Sequence, residues 1–374
     1  MIQCPAARIG DPIDEIDTPA LVVDLDALEA NIRKMSAFAA ENGVRLRPHA
    51  KTHKCSAIAR LQIEAGAVGI CCQKVSEAEA MANAGITDIL ISNEVVGRRK
   101  LDRLAALSKR IRVAVCADNS DNVDDIDAAA ARFDTVIPVL VEVDVGGGRC
   151  GTHPGEASVA VARHIAACRS LRFGGVQAYH GPAQHRRSFD ERRELIRKAG
   201  EDLARTVDML ASEGLTCEIV GGAGTGSYAF ETASGVWNEL QVGSYVFMDH
   251  DYALNLGSDG SRVQEFHHSL TIRTTIMSTP TPDRLITDAG LKAYTTDCGL
   301  PVLADLPGAE VLKASDEHTT ISIARPEDRP SLGGALHLIP GHCDPTVNLH
   351  DWIIGVRRGR VECLWPVDAR GALF

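Results

Sequence analysis

The sequence predicts an α/β protein: a (β/α)₈ TIM-like barrel over residues 20–255 and a C-terminal mainly β domain over residues 256–374, with residues 1–19 expected to pack on the second unit. Three observations predict it. Short apolar runs alternate with helical periodicities over some 200 residues, the grammar of a parallel sheet wrapped in helices. Residues of chemical character recur at the same end of successive runs, where a barrel carries its active face. Beyond about residue 255 the pattern changes to short alternating segments joined by turns. A chain of 374 residues is long enough for this arrangement and too long for one small domain.

Taken in order, residues 20–25 read as a strand, and Asp26 caps a helix in which Leu28, Ile32, Met35 and Ala39 recur at helical spacing. Eight candidate barrel strands follow at 45–50, 68–73, 88–93, 112–117, 138–144, 172–179, 217–221 and 239–247. Helical stretches at 76–84, 98–109, 154–168 and 189–210 separate them. In the second unit, 270–276, 284–289 and 352–356 read as strands, and Arg358-Gly359 is a hairpin turn between 353–356 and 361–364.

Composition narrows the function. With 45% hydrophobic and 24% charged residues the chain is globular, and it has no apolar run long enough for a membrane span. A net charge of −11, without basic tracts interleaved with aromatics, argues against a nucleic-acid partner. Eleven cysteines, an odd number without a Cys-x-x-Cys pair, point to reduced buried thiols and a cytoplasmic location. The opening residues lack the basic and apolar regions of a secretory leader. A small molecule is the expected ligand.

The stretch Arg47-Pro48-His49-Ala50-Lys51-Thr52-His53-Lys54 crowds four cationic or potentially cationic side chains around Lys51. Neighbouring positive charge lowers a lysine's pKa, and a neutral amine is the species that attacks a carbonyl to form a Schiff base. Pro48 favours extended backbone before it, so the segment reads as a strand end entering a helix near Thr52. A solvated basic turn is the other reading of the same run. Gln73, Asn93, Arg149, Tyr179 and His180 fall on the same predicted rim. Arg149 follows Gly146-Gly147-Gly148 and suits an anion or a heteroaromatic nitrogen, and Tyr179 suits stacking on a flat ligand.

Gly221 to Ser227 places glycines with Thr225 and Ser227 after a strand, where amides and hydroxyls can meet a phosphate; it has neither the lysine of a nucleotide loop nor dinucleotide spacing. Gln241 to Tyr245 ends the last strand beside it. His342-Cys343-Asp344 sets an imidazole and a carboxylate on one face of extended chain with Cys343 pointing away, a donor pair suited to Mg²⁺ or Mn²⁺. A loop histidine beside a solvated aspartate accounts for the same triplet.

Asp17-Thr18-Pro19-Ala20, the Arg47 to Lys54 stretch, Gly221-Gly222-Ala223-Gly224-Thr225 and Pro340-Gly341-His342-Cys343-Asp344-Pro345-Thr346-Val347-Asn348-Leu349 together resemble the fold-type III pyridoxal-phosphate enzymes, the alanine racemase type. Within them the chain is similar to the D-threonine aldolase and D-serine dehydratase branch, and most of all to the 3-hydroxy-D-aspartate aldolases. The resemblance implies that Lys51 bears pyridoxal 5'-phosphate, that Gln73, Gly224, Thr225 and Gln241 seat it, that Arg149 faces its pyridine nitrogen and that Tyr179 lies at its ring. It implies that His342 and Asp344 hold Mg²⁺ or Mn²⁺, since the dehydratases carry His-x-Cys and zinc where this chain has Asp344. His185 is the candidate base. The implied reaction is retro-aldol cleavage of a β-hydroxy-D-amino acid, 3-hydroxy-D-aspartate giving glycine and glyoxylate, in a homodimer. D-threonine aldolase, then D-serine or 3-hydroxyaspartate dehydratase, are the alternatives within enzymes, and a non-catalytic pyridoxal-phosphate carrier is the alternative outside them.

Overall fold

The computed structural model describes residues 4–374; the sequence reading of the extreme N-terminus rests in part on residues 1–3, which lie outside it. The first strand, β1 (Ala20–Asp24), leads into α1 (Leu25–Glu41). Its cap is Asp24, whose carboxylate accepts from the Ala27 N–H at 3.0 Å, not Asp26.

Eight parallel strands then form one curled sheet: β2 (Arg45–Leu46), β3 (Ile70–Cys72), β4 (Asp88–Glu94), β5 (Arg112–Ala117), β6 (Ile137–Glu142), β7 (Leu171–Ala178), β8 (Ile219–Gly222) and β9 (Glu239–Leu240). They stand in the order β2-β9-β8-β7-β6-β5-β4-β3, so successive strands are neighbours from β3 to β9. The ends of this order meet where His49 bridges Cys71 and the Ala50 N–H donates to Cys71 O at 2.8 Å. Each strand falls within or beside one of the eight expected segments. The intervening helices are α2 (Ser56–Glu64), α3 (Val75–Asn83), α4 (Arg98–Ser108), α5 (Ser120–Arg132), α6 (Glu156–Ala167), α7 (Phe189–Ser212) and α8 (Tyr228–Ser234). The helix expected to begin near Thr52 begins at Ser56, because residues 51–53 make a turn in which the Lys54 N–H reaches back to Ala50 O at 2.7 Å.

The second sheet explains where β1 belongs. Residues Val22 and Val23 pair antiparallel with Thr271 and Leu270, and parallel with Ile354 and Gly355. Thus β1, expected within the 20–255 unit, is an interior strand of the sheet built by Leu270–Thr281 and Trp352–Arg357. Strand character was local information; strand partnership was not. Residues ahead of β1 lie on the same unit, with the Gly10 N–H donating to Val361 O and the Ile13 N–H to Gly359 O at 2.8 and 2.9 Å. The hairpin turn is Arg358-Gly359, with φ of 50° and 73°, the left-handed pair that a two-residue turn between twisted strands requires.

The apolar core follows this division. One cluster fills the space between barrel and helices, including Ile89, Val113, Val139, Leu104 and Ile165. A second spans α1, the end of the barrel and the β sheet, including Leu28, Met35, Phe247, Ile272 and Ile353. The two units are therefore packed together through a continuous apolar layer.

Candidate active site at the barrel mouth

The site begins with a correction to the electrostatics of Lys51. Arg47 does not crowd it: its guanidinium lies at the N-terminal ends of β9 and β4, donating to Glu239 at 2.8 Å and Asp88 at 2.6 Å. Lys54 donates to the buried Glu77 at 2.8 Å. Burial drives the two histidines toward the neutral form, His53 to a pKa of about 4 and His49 well below its ordinary value, with the Lys51 charge adding to the latter. What faces Lys51 is Asp344, 3.3 Å from Nζ. Asp344 holds the ammonium above its usual lysine range against the opposing effect of burial. In turn Lys51 and His342 hold the Asp344 carboxyl far below its usual range although burial acts the other way.

Lys51 opens onto a cavity of about 170 Å³ at the C-terminal ends of the barrel strands. Gln73, Arg149, Tyr179, Gly224, Thr225 and Gln241 share its walls, so seven of the residues singled out by sequence converge on one space. The Arg149 guanidinium lies 5.9 Å from the Tyr179 ring centroid. The loop that carries Arg149 is shaped by Asp144, whose carboxylate accepts from the N–H groups of Gly146 and Gly148, each at 3.0 Å. Gln241 and Gln177 exchange amide hydrogen bonds of 2.7 and 2.9 Å, which fixes both in one orientation. Thr225 Oγ1 accepts from the Tyr245 N–H at 3.0 Å and so ties the glycine loop to the end of the barrel.

Several contributors were not singled out by sequence. His49 accepts the Lys51 N–H on Nδ1 at 3.3 Å, and its Nε2 lies 2.8 Å from the Gln73 side-chain amide and 3.2 Å from Ser92 Oγ. Gln177, Ser244 and Tyr252 also line the cavity. Gly243 must lack a side chain, since a Cβ there would stand 2.5 Å from Thr52 Oγ1. His49 had a sequence signal in the motif around Lys51, and Gly243 and Ser244 had one in the stretch from Gln241 to Tyr245; Gln177 and Tyr252 depend on pairings between distant strands.

His185 and His342 stand outside this cavity. His185 Nδ1 is 2.6 Å from Asp251 Oδ2, and its ring lies 5.9 Å from that of Tyr252, which forms part of the cavity wall. Asp251 is also paired with Arg187. With Nδ1 committed to a carboxylate, the basic atom of His185 is Nε2. His180, by contrast, is spent locally, its Nδ1 accepting from the Ala183 N–H at 3.2 Å. The His342 to Asp344 segment is not extended: Cys343–Val347 is a short helix that begins after His342. Cys343 is buried in the core, its N–H donating to Asp249 at 3.0 Å. Asp344 accepts from Ser244 Oγ at 3.3 Å, which joins the β domain to the barrel rim beside Lys51.

This donor set fits a flat anionic carbonyl compound. An amine is present, hydroxyls and bare main chain are available for an anion, and a guanidinium and two rings line the same space. The imidazole and carboxylate of His342 and Asp344 suit a hard divalent cation.

Comparison with known proteins agrees with this architecture. Residues 23–251 match the family model described as alanine racemase, N-terminal domain, and residues 269–356 match the putative serine dehydratase domain. A D-threonine aldolase of an Arthrobacter species is 47% identical over 98% of this chain and 96% of its own. A 3-hydroxy-D-aspartate aldolase of Paracoccus denitrificans is 47% identical over 96% of this chain and 93% of its own. The crystal structure of a D-threonine aldolase from Filomicrobium marinum superposes with a TM-score of 0.96 at 48% identity, covering 99% of this chain and 100% of that one. This chain therefore belongs to the alanine racemase N-terminal-domain family, in the branch whose barrel is followed by a serine dehydratase-type β domain.

Proposed function

We propose that this protein is a carbon–carbon lyase that cleaves β-hydroxy-D-amino acids by a retro-aldol reaction, with 3-hydroxy-D-aspartate, giving glycine and glyoxylate, as its substrate. The observation that carries the reading is the 3.3 Å approach of Lys51 Nζ to Asp344. It supports reading Lys51 of the barrel as the Schiff-base lysine and Asp344 of the β domain as a metal carboxylate that act on one substrate. Pyridoxal phosphate carried on Lys51 supplies an electron sink for the charge left at Cα when the bond to Cβ breaks.

The chain's own groups have separable tasks. Thr225, Gly224 and the main chain at Gly243 would receive the phosphate, Gln73 and Gln241 would seat the ring's substituents, Arg149 would face the ring nitrogen and Tyr179 would lie against it. His342 and Asp344 would hold Mg²⁺ or Mn²⁺, which lowers the pKa of a hydroxyl oxygen bound to it. His185, with Asp251 on Nδ1, accepts the proton of the β-hydroxyl at Nε2. After the aldehyde leaves, Lys51 Nζ returns a proton to Cα. A homodimer in the cytoplasm completes the reading; eleven free thiols support a reducing compartment.

D-threonine is the second substrate, favoured by the equal similarity of the Arthrobacter relative. A product assay decides between them. Purified protein is given pyridoxal phosphate and Mg²⁺ and offered 3-hydroxyaspartate and D-threonine side by side, with and without a chelator. Chelator-sensitive glyoxylate formed much faster than acetaldehyde is the expected result. Faster acetaldehyde makes the protein a D-threonine aldolase, and ammonia without glycine makes it a dehydratase.

A further inference from the structure

His342 is held by a loop that no sequence motif marks. Asp297 Oδ2 lies 2.7 Å from His342 Nδ1. The other oxygen of Asp297 accepts from Thr295 Oγ1 at 2.8 Å. The Thr295 N–H donates to Thr346 Oγ1 at 3.2 Å, and that hydroxyl donates to His342 O at 2.7 Å. These four bonds close a circuit through Thr295, Asp297, His342 and Thr346, so both the ring and the main chain of His342 are fixed to one loop.

The circuit has a chemical consequence. A neutral imidazole carries one proton, and the carboxylate of Asp297 places it on Nδ1. The lone pair is then on Nε2, which makes no hydrogen bond among the described residues. Ligating histidines are characteristically held this way, with a carboxylate on the nitrogen remote from the metal fixing the tautomer and strengthening the donor.

Cys298 stands nearby, with Sγ 3.7 Å from His342 Nδ1 and 3.8 Å from Asp297 Oδ2. The donor atoms of Asp297, Cys298 and His342 lie within 4.8 Å of one another, so the three form a rival ligand set. That set uses Nδ1, which would cost the 2.7 Å bond to Asp297, and its thiolate suits a soft cation better than Mg²⁺ or Mn²⁺.

We propose that Asp297 is the positioning carboxylate of the metal site: it binds the Nδ1 proton of His342, presents Nε2 as the ligand atom and thereby sets the affinity for the cation. The proposal rests on the reading of His342 and Asp344 as metal ligands, and the test separates the two. Mn²⁺ binding is measured by electron paramagnetic resonance on the full chain loaded with pyridoxal phosphate, a readout independent of turnover.

Asp297→Ala is expected to weaken Mn²⁺ by about 10- to 100-fold. Asp297→Asn, which can still accept from Nδ1–H, should fall between it and wild type, and Asp297→Glu should recover part of the loss. Cys298→Ser should bind as wild type, and the melting temperature of the metal-free Asp297 variants should stay close to that of wild type. Wild-type affinity in Asp297→Ala, together with lost binding in His342→Ala, would overturn the role of Asp297 and leave the metal site standing. A comparable loss in Cys298→Ser would make Asp297, Cys298 and His342 the ligands and overturn the proposal. Undiminished binding in both His342→Ala and Asp344→Ala would remove the metal site and this inference with it.

Discussion

The behaviour of single residues here is governed by where their charges are answered. Lys51 was expected to be acidified by its four neighbours in sequence, yet Arg47 and Lys54 are paired elsewhere, His49 and His53 are neutral, and a carboxylate from residue 344 faces it. Adjacency in sequence describes crowding only if side chains leave the backbone in the same direction, and the turn at residues 51–53 breaks the extended chain that would have aligned Arg47, His49, Lys51 and His53 on one face. Glu231 shows the opposite situation. It is fully buried, with Oε1 accepting from Ser227 Oγ at 2.7 Å and Oε2 without a partner among the described residues. Burial pushes its pKa from 4.5 up to about 7. A raised folded-state pKa means stability that is present below the unfolded value and is lost as pH rises through the folded one. Between about pH 4.5 and 7 this group should therefore subtract roughly 3 kcal/mol, taking about 1.4 kcal/mol per pKa unit. Glu231→Gln should be more stable than wild type at pH 8 and no more stable at pH 4.5, as read by urea unfolding at both values. An equal difference at the two pH values would show that Glu231 is charged in the folded protein.

At the scale of elements, the barrel strands were legible because their apolar runs are local. Their helices were legible from periodicity. Helix starts were displaced, Ser56 for Thr52 and Asp24 for Asp26, because capping and turn geometry are settled by contacts that a periodicity does not encode. The floor of the barrel was not legible at all. Arg47 just after β2, Glu239 on β9 and Asp88 on β4 form one ionic group, extended through Arg112, which lies 3.6 Å from Asp88, and Arg172, the two sharing Glu218 at 2.9 and 2.8 Å. Removing Arg47 leaves the buried Glu239 only the more distant Arg45 at 3.4 Å, and breaking a buried pair in this way costs up to about 3–5 kcal/mol. Arg47→Ala should lose about that much stability in urea while the folded protein still attaches pyridoxal phosphate at Lys51, as detected by borohydride trapping. Failure of attachment in folded Arg47→Ala would return Arg47 to the site from which the structure removes it.

At the scale of the molecule, the candidate site is divided between two units. Lys51 and the cavity belong to the barrel; His342, Asp344 and Asp297 belong to the β domain. The motifs on both sides were legible, and so was the resemblance they carry together. The route by which they meet was hidden, because β1 looks like the start of the barrel and is an interior strand of the other sheet. A fragment of residues 256–374 leaves a vacancy between Leu270–Thr281 and Trp352–Arg357. It should unfold without a cooperative transition, and addition of a peptide spanning residues 17–25 should restore one in part. A cooperative melt of the fragment alone, unchanged by the peptide, would mean that the sheet does not depend on β1.

The same placement of β1 sets a timetable for biosynthesis. It leaves the ribosome ahead of the entire barrel, whereas both of its neighbours are made after the barrel is finished. Its apolar residues Leu21, Val22 and Val23 must therefore wait, unpaired, through most of translation. The nascent chain carries an exposed apolar segment while the barrel is being made, and a holdase that covers this segment should raise the yield of native protein.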